Sequence, residues 1–210
     1  MKQKTLKASC SFQGKGLHTG RIAEMTVNPA PENTGIVFRR TDLGEGAVVR
    51  ALAENVSSTA RSTTISEGEA SVSTIEHLMS ALTGMGIDNA VVELNNVEVP
   101  ILDGSAQPYV KAFSEAGLVE QNADRQFIDI PDEIEIKDEK TGSWVKIKPA
   151  AAPSYDITVD FNSRVLGVQS AAWDLSKDYA SEIGPCRTFV FFHEVEFLLA
   201  NNLVKGGDVD

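Results

Sequence analysis

Ser73-Thr74-Ile75-Glu76-His77-Leu78-Met79-Ser80-Ala81-Leu82 reads as the opening of a core-facing helix. At about 100° per residue, Ile75, Leu78, Met79, Ala81, Leu82 and Met85 fall within one wide apolar arc, which predicts a helix over 74–85. Gly86 and Asp88-Asn89 then stop it, and Ala90 to Leu94 reads as a buried strand. Glu76 and His77 project to opposite shoulders of the arc, in the first turn. Unpaired N–H groups and the positive dipole end favour a carboxylate there and disfavour an imidazolium. Neutral imidazole is the form that ligates metal, and water on such an ion loses a proton near neutral pH to a nearby carboxylate. The pair therefore points to metal-assisted hydrolysis. A plainer reading stands beside it: Ser73-Thr74-Ile75-Glu76 has the form of a capping box, with Glu76 reaching back to the Ser73 N–H. Without a second histidine four residues on, Glu-His is not the metalloprotease signature, and His77 alone reads as a partly buried structural histidine.

Upstream of the helix, short strand-like runs alternate with Gly and Pro: Thr5 to Phe12, Ile22 to Asn28 and Ile36 to Arg39. Asn55 to Ser66, rich in Ser and Thr, reads as an exposed connection. Downstream, a second helix is expected from Ala106 to about Ala116, with Ser105 as N-cap and Gly117 as stop. Asp103 shapes the Leu-Asp-Gly-Ser turn before it. The polar stretch Gln121 to Arg125 is the candidate domain boundary. Strands follow near Phe127 to Ile136, Trp144 to Lys148, Tyr155 to Phe161 and Gly167 to Trp173, and a last helix at about Glu194 to Leu203. The period-2 pattern of Tyr155, Ile157, Val159 and Phe161 predicts one buried face for its strand.

Composition narrows the function. A net charge of −11 leaves no basic stripe for nucleic acid, so any phosphate must be gripped locally. No run approaches the roughly 20 apolar residues that span a bilayer, and a cytoplasmic protein is the default expectation. Cys10 and Cys186 are too few and too far apart for a disulfide framework or a Cys-x-x-Cys knuckle, and both read as reduced packing residues.

Several blocks then act together: Gly14-Lys15-Gly16-Leu17-His18-Thr19-Gly20, the helix opening at 73–82, Gly86-Ile87-Asp88-Asn89, and Val99-Pro100-Ile101-Leu102-Asp103-Gly104-Ser105-Ala106. With Asp160-Phe161-Asn162, Cys186-Arg187-Thr188-Phe189 and Lys205-Gly206-Gly207, they resemble the UDP-3-O-acyl-N-acetylglucosamine deacetylases of lipid A biosynthesis over essentially the whole chain. The resemblance implies an α+β fold of two similar sheet-plus-helices domains of the ribosomal protein S5 domain 2-like type, here 1–123 and 125–210, the second incomplete. It implies a zinc-dependent amidohydrolase that releases acetate from a UDP-linked, acylated glucosamine, with Zn2+ as cofactor. His77 matches the first zinc ligand, Glu76 the general base, and Thr188 a threonine that hydrogen-bonds the oxyanion. Asp160 and Phe161 match positions at the uridine end, and Phe189 and His18 complete the expected substrate-binding set, with a turn histidine bonded only locally as the other reading of His18. The family's other ligands, spaced His-x-x-x-Asp, and a further histidine acting as general acid are expected beyond Asp210, so the chain by itself is expected to turn over little. Some members continue into a fused acyl-carrier-protein dehydratase. Peripheral contact with membrane lipid is expected, nucleic acid is not. The rival reading is a non-catalytic UDP-sugar-lipid-binding or structural module in which His77 packs and Glu76 caps.

Overall fold

Ala23, Met25 and Val27 are buried while the residues between them are not, as a strand with one face on a core requires. In the computed structural model, which describes residues 1–201 and 205–207, the first half runs β1 (Lys2–Leu6), β2 (Cys10–Lys15), β3 (Ile22–Pro29), β4 (Ile36–Arg40), β5 (Val48–Arg50), β6 (Val56–Ser58), β7 (Thr64–Glu67), β8 (Ala70–Ser73), α1 (Glu76–Gly84), β9 (Ala90–Leu94), α2 (Gln107–Ala116) and β10 (Leu118–Asp124). The main sheet has the order β2-β3-β9-β4-β5. Its pairs are antiparallel except β4 with β9, whose parallel register sets Ile36 beside Ala90 and Arg40 beside Leu94. A parallel pair needs a crossover, and the crossover here is the small β6-β7-β8 sheet followed by α1. The α+β class is as expected.

The core lies where α1 and α2 cover one face of the main sheet. Leu78, Ala81 and Leu82 of α1 and Tyr109, Val110 and Phe113 of α2 are buried in one cluster with Met25, Val27, Phe38, Val92 and Leu94. Each such large side chain contributes roughly 1.5–3 kcal/mol. Phe12 packs edge-on to Tyr109 at 4.9 Å, and the Tyr109 hydroxyl donates to the Pro100 carbonyl at 2.7 Å. Ala106, not the expected Ser105, takes the N-cap position of α2, with the Ser105 hydroxyl accepting the Gln107 N–H at 3.1 Å one residue earlier, and Gly117 ends the helix at φ +76°.

Local structure departs from expectation at several points. Thr5 to Phe12 is two strands, not one: β1 leaves the main sheet to pair with β10. Within Asn55–Ser66, β6 and the start of β7 form part of a three-stranded sheet, because Ile65 is buried and supplies the apolar anchor that the Ser/Thr composition hides. Most of Gln121–Arg125 is strand β10, polar because its inner side meets buried polar groups. There Asn89 donates to Gln121 Oε1 and to Gln3 Oε1 at 2.8 Å each, and accepts the Gly35 N–H.

Residues 126–178 cluster as a separate unit, the rest of the described chain as another. The separate unit holds two hairpins, β11 (Ile134–Lys137) with β12 (Trp144–Ile147) and β13 (Ser154–Asp160) with β14 (Val168–Asp174). The expected strand from Phe127 shortens to β11, since Pro131 lacks the N–H a ladder needs. The buried face expected for Tyr155, Ile157 and Val159 is not found: Tyr155 is 56% and Ile157 57% exposed. Their strand pairs only with β14, and a two-stranded sheet has no second layer of its own to cover an apolar face. Two helices close the described chain within the first unit, α3 (Tyr179–Glu182) and α4 (Phe192–Ala200). Leu203, the expected end of the last helix, lies outside the described residues.

Asn89→Leu strips three hydrogen bonds from buried and half-buried partners at once. We expect a loss on the order of 3 kcal/mol in urea unfolding, against a few tenths for Asn95→Ala in the exposed turn after β9.

Candidate active site

The chain enters α1 by a sharp bend. Ser73 ends β8, Thr74 takes φ +58°, and Ile75 occupies the N-cap position with no side-chain cap bond. The capping box therefore does not form. A Thr in the left-handed region swings the backbone away from the geometry in which Glu76 reaches Ser73, and Glu76 Oε1 instead accepts the Thr63 N–H from the loop between β6 and β7. Glu76 and His77 are both half-buried on the first turn, as expected.

Burial pushes the His77 imidazole below its ordinary pKa, and the Glu76 and Asp103 carboxylates pull the other way without prevailing. His77 is thus neutral at pH 7, the form with a free lone pair. Asp103 belongs to a tight turn flanked by Leu102 at φ +53° and Gly104 at φ +79°, and its Oδ1 accepts both the N–H and the hydroxyl of Ser105. That is the turn-shaping role read from the sequence.

Thr188 is delivered to the same turn. The Tyr179 ring lies against Gly84, where a Cβ would collide with it, and Tyr179 and Ser80 share a 2.6 Å hydroxyl bond, so α3 is docked on α1. From there Arg187 Nε donates to the Asp103 carbonyl at 2.6 Å and the Thr188 N–H to the Gly104 carbonyl at 2.8 Å. Phe189 follows, 58% exposed, its ring edge-on to Phe191 at 5.5 Å. His18 is held by its backbone N–H on Glu98 Oε1 at 2.8 Å, and its Nε2 is enclosed with no hydrogen-bond partner among the described residues. The loop around it is closed from outside by Gly206, whose N–H donates to the Leu17 carbonyl at 3.0 Å. Glu76, His77, His18, Thr188 and Phe189 thus share one unit. Asp160 and Phe161 belong to the other. There Asp160 accepts the Asn162 N–H at 2.8 Å in a local turn, and Phe161 is half-buried. His193 is exposed at the start of α4 and stacks on Phe191 at 5.4 Å. An open cleft is lined by Gln13–Lys15, Ile22, Ile101-Leu102 and Gly206, and none of Glu76, His77, His18, Thr188 and Phe189 lines it.

Sequence reasoning gave no role to Thr63, to Glu98 or to Arg187, although Arg187 stands in one of the quoted blocks. Two of them act through backbone or buried partners that no spacing reveals; Glu98, alone between Val97 and Val99, carried the one usable signal, a charge in an apolar run.

With this geometry in hand, comparison is decisive: residues 3–210 match the family described as LpxC, UDP-3-O-acyl N-acetylglycosamine deacetylase. The chain belongs to that family. It is similar to the bifunctional enzyme LpxC/FabZ of Porphyromonas gingivalis, 45% identical over 209 residues that cover 100% of this chain and 45% of that protein. The UDP-3-O-acyl-N-acetylglucosamine deacetylase of Helicobacter hepaticus is 45% identical over 210 residues, covering 100% and 69%. That of Teredinibacter turnerae is 44% identical over 216 residues, covering 100% and 70%. The chain spans about half the length of the bifunctional relatives it matches.

The sign of the His77 shift yields a test in this family member. Below the ordinary value of 6.5 the unfolded chain takes up a proton that the folded chain refuses. Stability is therefore full above pH 6.5 and falls as pH drops below it. In urea titrations with chelator present, His77→Gln should lose less stability than the parent between pH 7.5 and about 5.5. Parallel curves would mean that His77 is not desolvated.

Proposed function

We propose that the protein carrying this chain hydrolyses the N-acetyl group of a UDP-3-O-acyl-N-acetylglucosamine, releasing acetate in lipid A biosynthesis, with a zinc ion at His77. The observation that carries this reading is the freedom of Glu76 from a capping role: it stands on the first turn of α1, tethered by one backbone N–H, beside a neutral imidazole.

His77 offers the neutral nitrogen donor that zinc accepts, but among the described residues no three His, Cys, Asp or Glu side chains converge. His77 thus fits as one ligand, and the remaining ligands are drawn from residues outside those described, in line with the resemblance. When bound, zinc polarises the acetamide carbonyl and acidifies water.

The chain's own residues do the rest. The Glu76 carboxylate accepts a proton from the attacking water as its oxygen bonds to the acetyl carbon. The Thr63 N–H restricts its rotation while leaving Oε2 available. The Thr188 hydroxyl, placed beside the Asp103-Gly104 turn by its own backbone bond, donates to the developing oxyanion. The C–N bond then breaks and acetate leaves, the sugar amine taking its proton from the general-acid histidine expected beyond Asp210 while Glu76 returns its proton to solvent. Asp160, by polar contact, and Phe161, by stacking, are the proposed uridine contacts, with Phe189 and His18 as further substrate-binding residues. Among the described residues no helix is long and apolar enough to cross a membrane; the proposed setting is the cytoplasm, with peripheral contact to lipid through the acylated substrate.

Glu76→Gln in the full-length protein is the test. We expect turnover to fall by roughly 10²–10⁴-fold with folding and metal content intact. Turnover within about twofold, with only a stability change of about 1 kcal/mol, would favour the structural module over the enzyme.

A further inference from the structure

We propose that Glu98 is a positioning residue for this site: its buried carboxylate clamps the His18-Thr19 turn to Thr74 and so sets the bend from which Glu76 and His77 project. For its functional meaning the proposal rests on the reading of Glu76 and His77 given above; its geometry stands independently.

Glu98 is 0% exposed, an unusual place for a carboxylate. It is fully engaged: Oε1 accepts the His18 N–H at 2.8 Å and the Thr74 hydroxyl at 2.9 Å, and Oε2 accepts the Thr19 N–H at 2.8 Å. Gly16 leaves the room for this, since a Cβ there would collide with Oε2. The backbone repeats the clamp. Ser73 bridges Glu98, with its N–H on the Val97 carbonyl and its carbonyl accepting the Val99 N–H, and Gly16 bridges Pro100. The segment 97–100 thus lies between the strand that enters α1 and the glycine turn that carries His18. Burial works to raise the Glu98 pKa, and the donors from His18, Thr19 and Thr74 overcome it and hold the carboxyl below its usual range, so the group is charged. A charge in such a place is retained only with its partners in position.

The bond to Thr74 gives the clamp its consequence. A β-branched residue at φ +58° is a disfavoured conformation that the surroundings must impose. The Thr74 hydroxyl on Glu98 and the Ser73 bridge are what impose it here. If that hold is lost, the backbone relaxes, the first turn of α1 rotates, and the Thr63 N–H bond to Glu76 is strained or broken.

The experiment compares Glu98→Gln, Thr74→Val and Thr74→Ser in the full-length, metal-loaded protein. Amide hydrogen exchange should accelerate at His18 and Thr19 in E98Q, and at Thr63 and 75–77 in both E98Q and T74V. Amides of Val91 to Glu93 in β9 should stay protected. T74S, which keeps the hydroxyl, should match the parent. In deacetylation, kcat should fall by about ten- to a hundredfold in E98Q and T74V with KM within about threefold, and T74S should restore it. Faster exchange confined to 18–19 with an unchanged kcat, or a T74S as impaired as T74V, overturns the proposal. If E98Q fails to fold, T74V against T74S decides it. If the parent shows no deacetylase activity, the exchange data still decide the clamp, and the fault lies with the functional reading instead.

Discussion

The burial of Leu78, Ala81 and Leu82 against α2 and the main sheet fixes α1 along its length and leaves Glu76 and His77 half-buried on its first turn. Everything at the site hangs from that arrangement. A helix held by its apolar face cannot roll without exposing two leucines, each costing roughly 1.5–3 kcal/mol. The direction of Glu76 and His77 is therefore set by the core on one side and by the Thr74 bend on the other. The same helix receives α3 through Gly84 and Ser80, so the core that aims the carboxylate also delivers Thr188.

Electrostatics at the site follows from unequal burial. His77 gives up its charge because desolvation outweighs two nearby carboxylates, whereas Glu98, more deeply enclosed, keeps its charge because several donors aim at it. Two ionisable groups in one region are thus driven apart in protonation by whether hydrogen-bond donors, or only charges not bonded to them, stand around them. A neutral imidazole beside carboxylates suits a cation, and an ionised, saturated carboxylate suits a fastening point.

Much of this was legible in the letters. The apolar arc at 75–85 placed α1, strand-like apolar runs bounded by Gly, Pro or Asn placed β3 and β9, and the ordered blocks at 14–20, 73–82 and 99–106 named segments that meet through residues 97–100. Three kinds of information were not legible. The capping box at Ser73–Glu76 was a sound local pattern overridden by the Thr74 bend, which depends on a partner 24 residues away. The alternation of Tyr155, Ile157 and Val159 called correctly for a strand, but burial depends on a covering layer that periodicity within one strand does not specify. Thr63 was invisible for a third reason: it contributes a backbone N–H, which every residue but proline possesses.

The central claim is that His77 grips a metal ion in the complete protein. Elemental analysis of the full-length protein, purified without added metal, against His77→Ala tests it most directly. The account predicts about one zinc per protomer in the parent and its loss in the variant, with the fold retained. A parent that purifies metal-free yet deacetylates, or a variant that keeps its zinc, would contradict it.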